Sequence, residues 1–141
     1  MQPNLYARHN SQYISPISAI EIAAAPPTRI YDFSGLGKIS QNAGFVLEMQ
    51  RMFVERVPVQ VAELQRAIDY KDWKTVAQQA HSLKATFGNL RIEPSTTLLK
   101  ELECLAFQHR DKLELTVIME LVATTADAVV SIFRQELSRA A

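Results

Sequence analysis

His81 and Lys84 are the residues whose types and spacing point to chemistry. A neutral imidazole is a competent nucleophile near neutral pH, because the unperturbed histidine pKa is roughly 6.5. Lys84 follows one helical turn later and brings a positive charge. If the segment is helical, the neighbours of His81 on its own face are Ala77, Gln78, Lys84, Ala85 and Gly88. Ala77, Ala85 and Gly88 are small, so they leave the ring clear and let another macromolecule approach it. Gln78 and Lys84 can donate hydrogen bonds. A histidine nucleophile beside a cation on an open face suits phosphoryl transfer, which depends on positioning and charge stabilisation more than on covalent help. No carboxylate cluster accompanies these residues in the sequence, so a partner would have to supply any Mg²⁺. The spacing by itself leaves a second reading open. A lone histidine on a helix is more often a solvated or structural residue, and a His-x-x-Lys pair is common.

The other candidates offer less. His9 and His109 have no ligand partner at useful spacing, so no metal site is expected. A single cysteine, Cys104, can form neither an internal disulfide nor a cysteine-based zinc site, and a packed or half-buried thiol is expected. One cysteine also fits a reducing compartment, and a cytoplasmic location is expected. Lysine plus arginine and aspartate plus glutamate each total 15, so the formal net charge is zero. That gives no electrostatic footprint for nucleic acid, and no helix reads as a basic recognition helix. No run of about 18 apolar residues is present, and no charged segment followed by an apolar one opens the chain, so no membrane association is expected.

The elements that must position His81 follow from the apolar periodicity. With 141 residues, 48% of them hydrophobic, the chain can build one domain with a substantial core. Residues 1–29 contain Pro3, Pro16, Pro26 and Pro27 and read as a tail or linker, with room for a short helical piece near Ser18 to Ala25. They would equally suit the remnant of a longer fused protein, although Met1 favours a free-standing chain. Residues 30–141 read as the domain. Asp32-Phe33-Ser34 opens a short segment anchored by Phe33 and Leu36. A long helix is expected from about Asn42 to Tyr70, with Val46, Met49, Phe53, Val57, Val61, Leu64 and Ile68 in one stripe. Pro58 lies inside it and should bend it without ending it, because the stripe stays in phase on both sides.

Asp72 is placed to cap a second helix, from about Trp73 to Ile92, whose stripe is Val76, Ala80, Leu83, Phe87 and Leu90. At about 100° per residue, His81 falls about 140° from Val76, on the flank of the stripe. Pro94 breaks the chain, and Ser95 is expected to cap a third helix to about His109, with Leu98, Leu102 and Leu105 inward. A last helix is expected from about Lys112 to Arg139, with Leu115, Ile118, Val122, Ala126, Val129, Phe133 and Leu137 inward. Trp73 and Tyr70 are expected to pack at the helix junction. The whole reads as all-α: an antiparallel four-helix bundle with a short N-terminal helix and an irregular N-terminal tail.

The stretch Ala80-His81-Ser82-Leu83-Lys84-Ala85-Thr86-Phe87-Gly88-Asn89-Leu90 resembles the signature of histidine-containing phosphotransfer (HPt) domains, Ala-His-x-Leu-Lys-Gly followed by small residues. The likeness extends further. Tyr31-Asp32-Phe33-Ser34-x-Leu36 resembles that family's opening segment. Phe45, Glu48-Met49, Phe53, Pro58, Leu64 and Ala67 resemble its first long helix. Asp72-Trp73 ahead of the histidine helix and Leu102-Glu103 in the next one are similar too, so the likeness spans about residues 31–137. The sequence departs from the family at Ala85 and Arg91, where glycine is frequent. Extrapolated along the second helix, Arg91 falls about 60° from Val76, near the edge of the same exposed face.

The resemblance implies a phosphocarrier without kinase activity, in a two-component phosphorelay. His81 would be the phosphoacceptor, through Nε2, taking a phosphoryl group from a receiver-domain aspartate and passing it to another. Lys84 would stabilise the phosphoryl group. Gln78 would hydrogen-bond at the site or be a plain surface glutamine. Ala77, Ala85, Gly88 and Arg91 would form the docking face for the receiver. Val46, Met49 and Phe53 are read as core in preference to a docking patch. The implied partners are response-regulator receivers and a hybrid sensor histidine kinase, with Mg²⁺ supplied by the receiver, no cofactor of its own, and a monomeric state. The alternative is a non-phosphorylated interaction module that only binds a receiver or kinase. Retention of both His81 and Lys84 favours the carrier.

Overall fold

The computed structural model describes residues 30–108 and 111–140. The expected tail, residues 1–29, lies outside them, as do His9 and His109. A 3-10 helical segment, Ser34–Gln41, precedes four α-helices: α1 (Ala43–Asp69), α2 (Trp73–Asn89), α3 (Ser95–Phe107) and α4 (Lys112–Ala140). No strand occurs among the described residues. α1 packs on α2 and α4, and α3 packs on α2 and α4, so the contacts close a ring and the molecule is an all-helical bundle.

Local chemistry sets where each helix begins and ends. The Asn42 side chain accepts the Phe45 N–H at 3.0 Å and starts α1. α1 then runs unbroken through Pro58, whose side is exposed. At its end Asp72 N–H bonds to Ala67 O and Lys71 N–H to Ile68 O, with Lys71 at φ 56°. That is a Schellman turn, in which a left-handed residue lets the chain reverse and satisfies the last carbonyls. Asp72 begins the next helix at once, accepting from Thr75 N–H at 3.3 Å and from the Thr75 hydroxyl at 2.7 Å. Asp111 opens α4 by accepting the Leu113 N–H at 3.0 Å.

The expected stripes form the core. Val57, Leu64, Val76, Ala80, Leu83, Phe87, Leu98, Leu102, Ile118, Val122, Val129 and Phe133 are all buried. Val46 and Met49 are half-buried against this core, and Phe53 lies within it. At one end of the bundle Phe133 meets the rings of Tyr31, Phe33 and Phe53 at centroid distances of 4.8, 6.0 and 5.2 Å. The Tyr31 hydroxyl and the buried Gln50 amide both donate to the Glu136 carboxylate, tying the opening segment to α1 and α4. By its length and the mean hydropathy of its most apolar 18 residues (1.7), α4 could cross a membrane, but its stripe from Leu115 to Phe133 is buried in the bundle.

Three local expectations are corrected. Tyr70 is 79% exposed at the end of α1, so it is not a packing residue; Trp73 is half-buried against the core, as expected. Ser95 does not cap α3: it is the first helical residue, fully buried, and Pro94 holds the cap position without a side-chain bond. The first turn is held by Glu93, whose carboxylate accepts from the Thr97 N–H at 3.3 Å and from its hydroxyl at 2.8 Å. α2 stops at Asn89, short of Ile92.

Candidate functional site: His81 and its carboxylate

Ala80, Leu83 and Phe87 are fully buried and fix which way α2 faces. His81 is left on the flank with its side chain 67% exposed. On the facing helix, buried Leu102 and Leu105 fix the rotation of α3 in the same way. Glu103 then emerges at the seam between the two helices, its side chain 18% exposed. Its Oε2 lies 2.9 Å from Nδ1 of His81, and its Oε1 lies 2.7 Å from Nζ of Lys84. Burial opposes ionisation of Glu103. The hydrogen bond and charge of Lys84, followed by those of His81, outweigh it and hold the carboxyl below the usual carboxylate range.

An ionised carboxylate can only accept, so Nδ1 of His81 must carry the proton of that bond. The neutral ring then has its lone pair on Nε2. No described residue takes a hydrogen bond from or gives one to Nε2. A nucleophilic nitrogen thus faces outward from an exposed ring, oriented from behind by a carboxylate.

Around it, Ala85 and Gly88 are exposed, as expected of a clear approach. A Cβ added at Gly88 would meet Thr96 Cγ2 at 3.5 Å, an ordinary contact, so packing alone does not demand glycine there. Gln78 is exposed and lines a groove of about 430 Å³ with Trp73, Lys74, Ala77, Ala106 and Phe107. It is not brought to the ring by any hydrogen bond with a described residue. Ser82, next to His81, receives a hydrogen bond from Gln60 of α1 at 3.2 Å. Cys104 is half-buried.

Two expected docking residues stand elsewhere. Ala77 is only 8% exposed and belongs to the core at the base of that groove, because the close packing of α2 on α3 covers it. Arg91 is not on the α2 face, since the helix has already ended. It occupies the left-handed position after α2 at φ 50°, where Arg91 N–H bonds to Gly88 O and Ile92 N–H to Phe87 O, a second Schellman turn. Its guanidinium lies 3.4 Å from Asp32 and 3.4 Å from the Ser34 hydroxyl, beside the opening segment. A left-handed residue at this turn explains why glycine suits the position.

The residue that the sequence did not assign is Glu103. The family likeness includes it in the Leu102-Glu103 pair but implies no role for it. The available signal was a carboxylate flanking the stripe of a helix that a short connection sets beside the histidine helix. Among the described residues no group of three or more histidine, cysteine or acidic side chains could hold a metal.

Searches of curated proteins and of solved structures give no match. The family model of the Hpt domain matches residues 48–140, a span that takes in α2, α3 and α4 whole, α1 from Glu48 onward, and His81, Lys84 and Glu103. That covers most of the chain and every residue of the site, and the protein therefore belongs to the Hpt domain family.

Proposed function

We propose that the protein is a phosphocarrier of a two-component phosphorelay, with His81 as the residue that holds the phosphoryl group. The observation that carries this reading is the bond from His81 Nδ1 to Glu103 at 2.9 Å on a ring that is otherwise exposed. In the transfer, the Nε2 lone pair attacks the phosphorus of an aspartyl phosphate on a receiver. The N–P bond forms, the P–O bond to the aspartate breaks, and the aspartate leaves as a carboxylate. The ring becomes positively charged as its lone pair is used, and the Glu103 carboxylate on Nδ1 stabilises that charge. The reverse steps deliver the group to a second receiver. Neither direction needs a base, because Nε2 carries no proton at the start.

The open face at Ala85 and Gly88 supports close docking of a receiver, and Mg²⁺ would come with that receiver. The short connections at Tyr70–Asp72 and Leu90–Pro94 support an antiparallel run of the four helices. A monomer in the cytoplasm, served by a hybrid kinase and its response regulators, is the setting this chemistry fits. The test is to mix the protein with a ³²P-labelled phosphoreceiver and Mg²⁺, then add a second receiver. Label passing through the protein to the second receiver is expected, and none should pass through His81→Gln. Failure of every receiver from the same cell to label the protein would reject the carrier in favour of a module that only binds.

A further inference from the structure

We propose that Lys84 acts on phosphoryl transfer through Glu103, as the residue that fixes the carboxylate against Nδ1 of His81, and not by touching the phosphoryl group. This rests on the reading of His81 as the acceptor. It departs from the direct role that the sequence suggested.

The geometry divides one carboxylate between two partners. Oε1 is held by Lys84 at 2.7 Å, and Oε2 meets the ring at 2.9 Å. A carboxylate is planar and rigid, so anchoring one oxygen sets the direction of the other. The burial is graded in the same sense. The side chains of Glu103 and Lys84 are 18% and 28% exposed, against 67% for His81. The ammonium is therefore set back in the seam, bonded to the group on the Nδ1 side of the ring, while the phosphorus must arrive at Nε2. Drawing Lys84 out to the phosphoryl oxygens would break a charge-assisted bond and leave a largely buried carboxylate without its cation. The arrangement is that of an outer partner orienting the group that orients the nucleophile. Without Lys84 the carboxylate is free to turn toward water. The ring then divides between its two tautomers, and the fraction with a free Nε2 lone pair falls.

The experiment compares wild type, Lys84→Met, Glu103→Gln and the double variant, each shown to be folded by circular dichroism. Two quantities are read: the rate of labelling by a phosphoreceiver with Mg²⁺, and the ¹⁵N shifts of the His81 ring without phosphate. Glutamine at this position still accepts from Nδ1 but no longer holds a cation. Each single variant is expected to slow labelling about tenfold, and the double variant to be within about twofold of Glu103→Gln. Lys84→Met is expected to raise the Nε2–H tautomer in the ¹⁵N spectrum. If Lys84→Met costs as much in the Glu103→Gln background as in wild type, and leaves the tautomer unchanged, Lys84 contacts the phosphoryl group and the proposal is wrong. If wild type takes no label at all, the carrier reading fails separately. The tautomer result, which needs no phosphate, then decides alone whether Lys84 orients the ring through Glu103.

Discussion

Glu103 on α3 accepts a hydrogen bond from Nδ1 of His81 on α2 at 2.9 Å, across 22 residues of sequence. This contact determines which ring nitrogen is free. In the proposed transfer, it leaves the Nε2 lone pair free, so that nitrogen needs no deprotonation before it attacks.

The first prediction concerns the ring itself. In the unphosphorylated protein at mildly alkaline pH, ¹⁵N spectra should show predominantly the Nδ1–H tautomer. Glu103→Ala should shift the population toward Nε2–H, the form that ordinarily prevails in an unconstrained imidazole. Identical spectra for the two proteins would mean that the carboxylate does not orient the ring.

The second concerns acid. The folded protein holds the Glu103 carboxyl below its ordinary range, whereas the unfolded chain returns it to roughly 4.3. A lowered folded value means that the stabilisation is complete above the unfolded value and is lost as pH falls through the folded one. Urea unfolding should therefore show a wild-type advantage over Glu103→Gln that is present above about 4.3 and shrinks as the pH falls further. An advantage independent of pH would contradict the lowered pKa.

A third prediction isolates the strain at Arg91. Its φ of 50° is unfavourable for a residue with a Cβ. Arg91→Gly and Arg91→Ala both lose the exposed pair with Asp32, which contributes little. Glycine alone relieves the left-handed backbone. The glycine variant should be more stable than the alanine variant by about 1 kcal/mol in urea denaturation. Equal stabilities would remove the account of this turn.

A fourth tests the aromatic end of the bundle. Phe133 is fully buried among Tyr31, Phe33 and Phe53. Phe133→Ala should cost about 3–5 kcal/mol. It should also speed hydrogen exchange at Asp32 N–H, which bonds to Leu90 O at 2.8 Å and reports on docking of the opening segment. A large loss of stability with unchanged exchange at Asp32 would show that the segment does not depend on this cluster.

Much of the architecture is legible from periodicity. The stripes of all four helices are apolar at helical spacing, so the sequence alone marks Val76, Leu83, Phe87, Ile118 and Phe133 as core residues, and all five are buried. The exposure of His81 followed from the same arithmetic. Helix ends were harder, because they depend on backbone geometry more than on pattern. A helical wheel extended past Asn89 places Arg91 on the α2 face, but the helix has ended there and Arg91 is itself the left-handed residue of the turn. Ser95 has the composition of a cap, but Glu93 supplies the bond from outside the helix. Ala77 has the right spacing for the open face, yet the facing helix covers it. Glu103 was least accessible of all. Its meeting with His81 depends on the rotation of α3 against α2, which spacing within either helix does not contain.

The most direct test of the central claim is to locate the phosphoryl group on the labelled protein. After transfer from a phosphoreceiver, alkaline hydrolysis and chromatography separate the two phosphohistidine isomers. The account predicts acid-labile, base-stable label recovered as the Nε2 isomer, from His81 alone, and absent from His81→Gln. Label on Nδ1, or label that persists in His81→Gln, would contradict it.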